Sequence, residues 1–262
     1  MTGVPAQRKT AMSETSRSNN VLVLNRATAI LEALGSDPRG MRISEVARVT
    51  GMPMTTVHRI LHSLALSELA VQNPSSNRWE LGLKVFALGQ RVHTRARLCE
   101  LSYTEMQALF SGTQLRSLLS VPNGDSMLVL KEILPPDCPL TVNRVGESAP
   151  MHLVASGKLF LSTMSPGELR SYAERSRLTE TGIEGVSAID ELLMRISRIR
   201  EFGWSLDREE WKKGLLTAAA PIYQKGIMVA AIAIESMLPD EIPHMHIERL
   251  VQSAKRISAA LG

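Results

Sequence analysis

The segment TGMPMTTVHRILHSLALSELA, residues 50–70, carries side chains that can hydrogen-bond to nucleic acid. Thr55 and Thr56 offer hydroxyl and methyl groups, and Arg59, which follows His58, offers a guanidinium that pairs with guanine or with a phosphate. The apolar residues of the segment recur at the i, i+3, i+4, i+7 spacing of one helical face, and they are Val57, Ile60, Leu61 and Leu64. The pattern predicts a helix that buries its aliphatic face and exposes its polar one.

Three other groups of residues could carry chemistry, and each is incomplete. Ser156 lies four positions after His152, as a nucleophile and base on one helical face would, but no third partner or oxyanion-hole motif accompanies them. The stretch ASGK at 155–158 lacks the spacing of a phosphate-binding loop. His244 and His246 could ligate a metal, but a polar helix start explains them as well. The sequence therefore predicts no enzyme, no metal site and no cofactor.

The elements that must position the polar helix predict a winged helix-turn-helix over residues 21–81. A first helix is expected between Asn25 as N-cap and Gly35 as C-cap. Ser44 is a candidate cap for a second helix, and Gly51 suits the left-handed residue that ends it. The third helix is then the one that carries the polar face.

The wing of this module is predicted from the sequence LAVQNPSSNRWEL, residues 69–81, which reads as two short strands around a polar turn. The predicted DNA-binding residues come from the helices and from the wing, and they are Arg26, Ser44, Thr55, Thr56, His58, Arg59, Asn77 and Arg78. The alternative is that the helix-turn-helix serves only as a packing unit.

The composition supports a two-part chain of 262 residues. Residues 1–97 contain 13 Lys/Arg and 6 Asp/Glu, whereas residues 98–262 contain 17 and 20. A basic first third beside a mildly acidic remainder is typical of a polyanion-binding module joined to one that does not bind polyanions. Two distant cysteines, and the absence of a long apolar run or a signal-peptide core, predict a cytoplasmic protein with no membrane partner. Residues 1–20 are expected to be a disordered leader.

The ordered series RATAILEAL, RISEVARVTGMPMTTVHRILHSLALSELA, RWELGLKVFALG, PMHLVASGKLFL, IREFGWSLDREEW, GLLTAAAPIY and GIMVAAIAIE resembles the isocitrate lyase regulator (IclR) family of bacterial transcription factors. The resemblance implies a winged helix-turn-helix, a linker helix over residues 82–97, and a GAF-like effector-binding and oligomerisation domain over residues 98–262. Similar proteins are dimers or tetramers on palindromic operators. Met54 departs from the Lys or Arg that many members carry there.

The second module is predicted to be α+β. The strand-like stretches are QLRSLLSV, SMLVLKEI, LTVNRV, LLTAAAPIY and GIMVAAIAIES, and the helical stretches between them are LVASGKLFLSTM, SPGELRSYAERS and AIDELLMRISRIREFG. Strands interrupted by helices in this order favour an antiparallel or mixed sheet covered by helices.

The resemblance also implies where a small effector binds in this module. The implied effector-binding residues surround the helix that begins near residue 155, and they are Met151, Leu153, Ala155, Ser156, Asp207, Leu215, Thr217, Ala233 and Glu235. Thr217 stands where the family frequently has Cys, and Glu235 where it frequently has Ser or another small polar residue. Two carboxylates would disfavour a dianionic metabolite. We expect a ligand with a hydroxyl or amine and with a carboxylate at the helix end, unless Glu235 pairs with a surface arginine instead.

These observations predict a ligand-responsive, sequence-specific DNA-binding regulator of a metabolic operon, acting as a homodimer or homotetramer on a palindromic double-stranded operator. Two alternatives stay open at this point. The C-terminal module could serve only for oligomerisation, or the chain could be an enzyme acting on a small acid.

Overall fold

The computed structural model describes residues 14–92, 96–135, 144–176, 178, 182–183, 186–237 and 241–262. The chain divides into two compact units, residues 1–93 and 94–262. None of the described helices combines the length and the apolar character that crossing a bilayer requires.

The N-terminal unit is a winged helix-turn-helix, as the sequence predicts. Its described elements are α1 (Glu14–Ser36), α2 (Ile43–Thr50), α3 (Met54–Leu66), β1 (Ala70–Gln72), β2 (Trp79–Leu81) and α4 (Leu83–Gly89). β1 and β2 pair antiparallel and form the wing. The core of this unit joins the three helices to the wing through buried residues that include Ile30, Val46, Leu61 and Trp79.

The first helix is longer than predicted. It begins at Glu14 and runs through Gly35 to Ser36, so Asn25 lies inside it and is not an N-cap. No Gly or Pro occurs between residues 14 and 34, so nothing in the local sequence stops the helix at Asn25. Residues 14–20 of the predicted disordered leader are therefore helical, and the rest of that leader lies outside the described residues.

The second helix begins one residue before Ser44, so Ser44 is not its cap. Arg42 occupies the N-cap position, and its backbone N–H donates to Glu45 Oε2 at 2.8 Å. The carboxylate of Glu45, the third residue of the helix, thus caps the helix start, where the sequence predicted the hydroxyl of Ser44. Gly51 ends the helix with φ +66°, the left-handed conformation that glycine adopts without steric cost.

The C-terminal unit is α+β. Its described elements are α5 (Ala96–Thr113), β3 (Arg116–Asn123), β4 (Ser126–Ile133), β5 (Ser148–Pro150), α6 (Ala155–Thr163), α7 (Pro166–Arg175), β6 (Gly182–Ile183), β7 (Val186–Ser187), α8 (Ala188–Phe202), β8 (Ser205–Arg208), β9 (Leu215–Gln224), β10 (Ile227–Met237) and α9 (His244–Leu261). A single 3₁₀ turn, Met151–Leu153, precedes α6. Six strands form one sheet in the order β5-β4-β3-β10-β9-β8, with every neighbouring pair antiparallel.

The two faces of this sheet belong to two separate cores, because side chains alternate between faces along each strand. On β10, Ile232 and Ile234 pack into the core that α5 and α9 cover. The intervening Ala231 and Ala233 pack into the core that α6, α7 and α8 cover. Since β10 is almost wholly buried, both faces of the sheet are covered, and any ligand site near its centre must lie beneath a helix.

Two predictions for this half of the chain differ from the structure. The predicted linker helix of residues 82–97 is not continuous, because α4 ends at Gly89 and α5 begins only at Ala96. Strands β5 and β8 were not predicted, because three or four residues are too few to show a period. Most of the predicted strand LTVNRV lies outside the described residues.

Candidate DNA-binding surface and effector site

The third helix divides into two faces as predicted. Val57, Ile60, Leu61 and Leu64 are buried. Thr55, His58 and Arg59 are exposed, and Thr56 is half-buried. The first two turns of α3 therefore present hydroxyl, imidazole and guanidinium groups to solvent, which are the groups that hydrogen-bond to base edges and phosphates.

Of the two predicted contact residues of the wing, Asn77 is exposed to solvent, whereas Arg78 is bonded to other parts of the protein. Asn77 is exposed and has φ +55°, at the end of a turn in which Asn73 Oδ1 accepts the backbone N–H of Ser75 and Ser76. Arg78 Nη1, by contrast, donates to the carbonyl oxygen of Gly40 at 2.5 Å and lies 3.1 Å from Glu45 Oε2.

Arg78, with its side chain only 26% exposed, therefore ties the wing to α2. Its guanidinium is committed to the protein and is not presented to DNA as the sequence analysis expected. The other two predicted contacts stay accessible in part, because Arg26 is half-buried on α1 and Ser44 is exposed in the first turn of α2. Arg42 and Arg48, exposed at the two ends of α2, are cations that the sequence analysis did not select.

A row of polar residues crosses four strands of the large sheet on the face covered by α6. Asp207 on β8 is paired with Thr217 on β9, Thr217 with Glu235 on β10, and Glu235 with Arg116 on β3. This register brings together side chains that lie far apart in the sequence. It places three predicted effector residues, and one that was not predicted, in a single line.

Glu235 sits at the centre of a buried ion cluster. Its Oε1 lies 3.2 Å from Arg116 Nη1, and its Oε2 lies 2.8 Å from Arg144 Nη1. Thr217 Oγ1 donates to the same Oε2 at 3.4 Å. The side chain of Glu235 is 4% exposed, and the two guanidinium groups are similarly buried. Glu235 thus pairs with two arginines, but they are buried and are not the surface arginine of the alternative above.

A small cavity of about 40 Å³ lies beside this cluster, under the first turn of α6. Of the predicted effector residues, the cavity is lined by Ala155, Ser156, Asp207, Thr217 and Ala233. The other four predicted effector residues, Met151, Leu153, Leu215 and Glu235, do not line this cavity. Met151 instead packs directly beneath α6, where a Cβ on Gly157 would lie 2.2 Å from the Met151 carbonyl oxygen.

Arg144 and Glu147 complete the polar wall of the cavity, and sequence reasoning missed both. Arg144 Nε contacts Glu147 Oε2, and Glu147 Oε1 also accepts the indole N–H of Trp211 at 2.9 Å. Lys212 Nζ lies 3.0 Å from Glu147 Oε2. Each charge in the wall therefore has an opposite charge beside it. No sequence signal marks Arg144, whereas Arg116 stands out as a charge inside the buried strand sequence RSLLSV.

Asp207 lines the cavity with a carboxyl group whose pKa is raised. Burial raises the pKa of this carboxyl to about 6 from its ordinary 3.8. The backbone N–H of Glu210, which donates to Asp207 Oδ1 at 3.0 Å, and the charge of Lys158 act in the opposite direction. The carboxyl is therefore partly protonated just below neutral pH, and it can then donate a hydrogen bond.

Among the residues that could have formed a catalytic site, His152 has another partner. His152 Nδ1 lies 2.8 Å from the hydroxyl of Tyr172, which also accepts the His152 backbone N–H. His152 is thus engaged with Tyr172, and Ser156 lines the cavity. Within the described residues no cluster of three or more metal-ligating side chains occurs, and His244 begins α9 as the polar helix start considered above.

Comparisons with known proteins agree with both units. Residues 90–260 match the sequence model for "Bacterial transcriptional regulator IclR C-terminal", and residues 23–74 match "IclR helix-turn-helix domain". The Glycerol operon regulatory protein of Streptomyces griseus is 32% identical, over 94% of this chain and 98% of its own length. The HTH-type transcriptional regulator KdgR of Dickeya chrysanthemi is 25% identical, over 89% of this chain and 77% of its own.

Solved structures share the fold. An IclR homolog complexed with 4-hydroxybenzoate, from Microbacterium hydrocarbonoxydans, superposes with a TM-score of 0.75 at 20% identity, covering 91% of this chain and 98% of that one. The IclR transcriptional regulator from Alicyclobacillus acidocaldarius superposes with a TM-score of 0.73 at 21% identity, covering 92% and 99%. The matches to both family models, together with the Streptomyces relative, establish that the chain belongs to the IclR family of bacterial transcriptional regulators.

Proposed function

We propose that this regulator binds operator DNA through the polar face of α3 and responds to a small carboxylate-bearing effector in the cavity beside Arg144. The division of α3 into a buried aliphatic face and an exposed polar face carries the DNA part of the proposal. A helix with this division can enter the major groove and place its N-terminal residues against base edges. Because the target is chromosomal DNA, we place the protein in the bacterial cytoplasm, at the nucleoid.

Specific recognition is assigned to three side chains of α3. Thr55, His58 and Arg59 are exposed in its first two turns, and the guanidinium of Arg59 is a group that can pair with guanine. Asn77 at the wing tip is proposed to contact the DNA backbone. A homodimer or homotetramer would present paired copies of α3, which suits a palindromic operator, since half-site symmetry mirrors protein symmetry.

The DNA proposal is tested by operator selection followed by substitution. Double-stranded DNA bound from a random pool gives the operator. Arg59→Ala should then weaken operator binding by about 1–3 kcal/mol with a smaller loss on random DNA. Arg39→Ala is the matched control, because Arg39 is an exposed cation of the same unit that pairs with Asp37. Equal losses on both DNAs would make Arg59 a phosphate contact, and no loss at all would contradict the proposal.

The effector part of the proposal rests on how Arg144 is held. A guanidinium has five N–H donors, and the described contacts to Glu235 and Glu147 use two of them. Arg144 lines the cavity, so its remaining donors can meet a carboxylate there. Ala155 and Ser156 add the start of α6, where backbone N–H groups favour anions.

Charge and volume narrow the effector class. The acidic groups around the cavity disfavour a second negative charge, so we propose a monocarboxylate with a hydroxyl group facing Asp207. The cavity holds a few water molecules at most, whereas ligand pockets typically measure about 300–1,000 Å³. Binding must therefore widen it. The 4-hydroxybenzoate complex of a fold neighbour and the glycerol operon regulated by a relative support a small hydroxylated ligand.

We propose no catalytic turnover, because His152 faces Tyr172 and lacks a nucleophile.

Three titrations test the effector class by calorimetry. 4-Hydroxybenzoate supplies one charge, 4-hydroxybenzamide none and terephthalate two. The first should bind at least about tenfold more tightly than the others and change operator affinity at saturation. Ala233→Val should abolish this binding by filling the cavity, whereas Ala259→Val, on the exposed side of α9, should not. Unchanged binding in Ala233→Val would refute the location, and equal binding of the amide would refute the role of charge.

A further inference from the structure

A second concavity, much larger than the effector cavity, opens on the same unit. It measures about 580 Å³ and lies between α8, β8 and the start of α9. None of the residues that line the effector cavity lines this groove. Its volume falls within the range of small-molecule sites.

One wall of the groove is apolar and open to solvent. Met194 and Phe202 on α8 are 57% and 60% exposed, and Leu206 on β8 is 37% exposed. Trp204, in the short connection between these two elements, is half-buried at the same wall. Large apolar side chains gathered on one concave surface are typical of binding sites, whereas single scattered ones are not.

The groove also has a basic lining. Four basic side chains and two acidic ones line the groove. Lys158, only 1% exposed, lies at its base with Nζ 2.5 Å from Glu210 Oε1. Arg195 pairs with Glu191 and Glu210, and Arg208 pairs with Glu241.

Arg198 differs from these three cations. It is exposed on α8, and in the part of the chain that the structure describes it has neither an ion pair nor a hydrogen bond. The groove thus combines an apolar wall with an excess of positive charge and with one guanidinium whose donors are unused. This combination suits a ligand that has an apolar body and one anionic end.

We propose that the groove binds an amphipathic monocarboxylate, with its aryl or alkyl body against Met194, Phe202 and Leu206 and its carboxylate on Arg198. This second ligand site is independent of the proposed effector cavity but shares two walls with it. On β8, Asp207 faces the cavity, whereas Leu206 and Arg208 face the groove. On α6, Ser156 faces the cavity and Lys158 the groove.

Tryptophan fluorescence of the full-length protein separates the two sites. Trp204 lines the groove, and Trp211 bonds to Glu147 in the cavity wall. 4-Phenylbutyrate should change the emission saturably in the wild type and in Trp211→Phe, but not in Trp204→Phe. The uncharged analogue 4-phenylbutyramide should bind at least about tenfold more weakly, because it cannot form the charge-assisted bonds to Arg198.

Two variants test the assigned cation. Arg198→Ala should weaken 4-phenylbutyrate binding at least about tenfold, whereas Arg170→Ala, which removes an exposed arginine from α7, should leave it unchanged. The proposal is overturned if both variants bind alike, if the amide binds as well as the acid, or if the signal depends on Trp211. It is also overturned if Trp204 emission shifts with protein concentration and not with ligand, since a second copy of the chain would then cover the groove.

Discussion

Replacing Asp207 by Asn should stabilise the folded protein at neutral pH, and the gain should vanish as the solution is made acidic. Asp207 is buried against the effector cavity, where burial raises the pKa of its carboxyl to about 6. Asn is uncharged, nearly the same size, and keeps an oxygen that can accept the backbone N–H of Glu210. The substitution therefore removes the titration while leaving the local hydrogen bond in place.

The sign follows from the direction of the pKa shift. A carboxyl that titrates near 6 when folded and near 3.8 when unfolded favours the folded state by about 3 kcal/mol below pH 3.8. This contribution is lost as the pH rises through about 6. Between about pH 5 and pH 7.5 the wild type should lose about 1.4 kcal/mol relative to Asp207→Asn. The variant should thus be the more stable protein only toward the upper end of this range.

Urea denaturation followed by tryptophan emission measures this difference. Trp204 and Trp211 both lie in the C-terminal unit, so a common Trp79→Phe background confines the signal to the unit that contains Asp207. Asp125→Asn is the control, because Arg175 lowers the pKa of Asp125 and its titration lies below the tested range. The control should show a constant free-energy difference from wild type between about pH 5 and pH 7.5.

Two outcomes would refute the reasoning. A pH-independent difference between wild type and Asp207→Asn would mean that Asp207 titrates near its ordinary value, so that its burial costs little. A difference that moves in the opposite direction with pH would mean that Lys158, and not burial, dominates its environment. In either case Asp207 would be ionised at neutral pH and could meet the proposed effector hydroxyl only as a hydrogen-bond acceptor.

Three further substitutions test other parts of the structure, each by its free energy of unfolding. Glu235→Leu should lower the free energy of unfolding by about 3–5 kcal/mol, because it leaves two buried guanidinium groups uncompensated. Adding Arg116→Met should recover part of that loss. Strictly additive losses in the double variant would refute the buried ion cluster. Arg78→Ala should lower the free energy of unfolding by about 1 kcal/mol, because the wing loses its attachment to α2. For the same reason it should weaken binding to all DNA sequences alike. A base-specific change in affinity would instead place Arg78 on DNA. Gly157→Ala should lower the free energy of unfolding by about 1–3 kcal/mol, because the new Cβ would meet Met151. Gly167→Ala is the control, because a Cβ at Gly167 on α7 would point into open space and should not destabilise the protein. Equal effects would contradict the close approach of α6 to Met151.

Local patterns predicted the N-terminal unit well because its contacts are local. The faces of α3 follow from helical periodicity, and the left-handed end of α2 follows from Gly51. The wing follows from two strand-like runs around a polar turn. Apart from the helix starts at α1 and α2, the failure in this unit concerns a side chain with several equally good partners. Arg78 is chemically suited to DNA and to Glu45 alike, and only the packing of the wing against α2 decides between them.

The effector site could be predicted only in part because it is assembled by strand register. Arg116 and Glu235 are 119 residues apart, and they meet because β3 pairs with β10. Hydrophobic alternation predicted that these strands exist but not which strands are neighbours. The resemblance supplied Asp207, Thr217 and Ala233, whereas Arg144 has no motif of its own. Its role depends on a carboxylate at Glu235, where similar proteins frequently have Ser.

That exchange at Glu235 has a physical consequence for the effector. A buried carboxylate is costly unless it is paired, so its presence requires Arg116 and Arg144 beside it. The cluster holds the guanidinium of Arg144 against a second carboxylate, Glu147, which leaves its remaining donors in fixed directions at the cavity. A ligand that brings acceptors to those directions gains hydrogen bonds without reorganising the site. The affinity that we propose for a carboxylate therefore depends on Glu235, although Glu235 itself does not line the cavity.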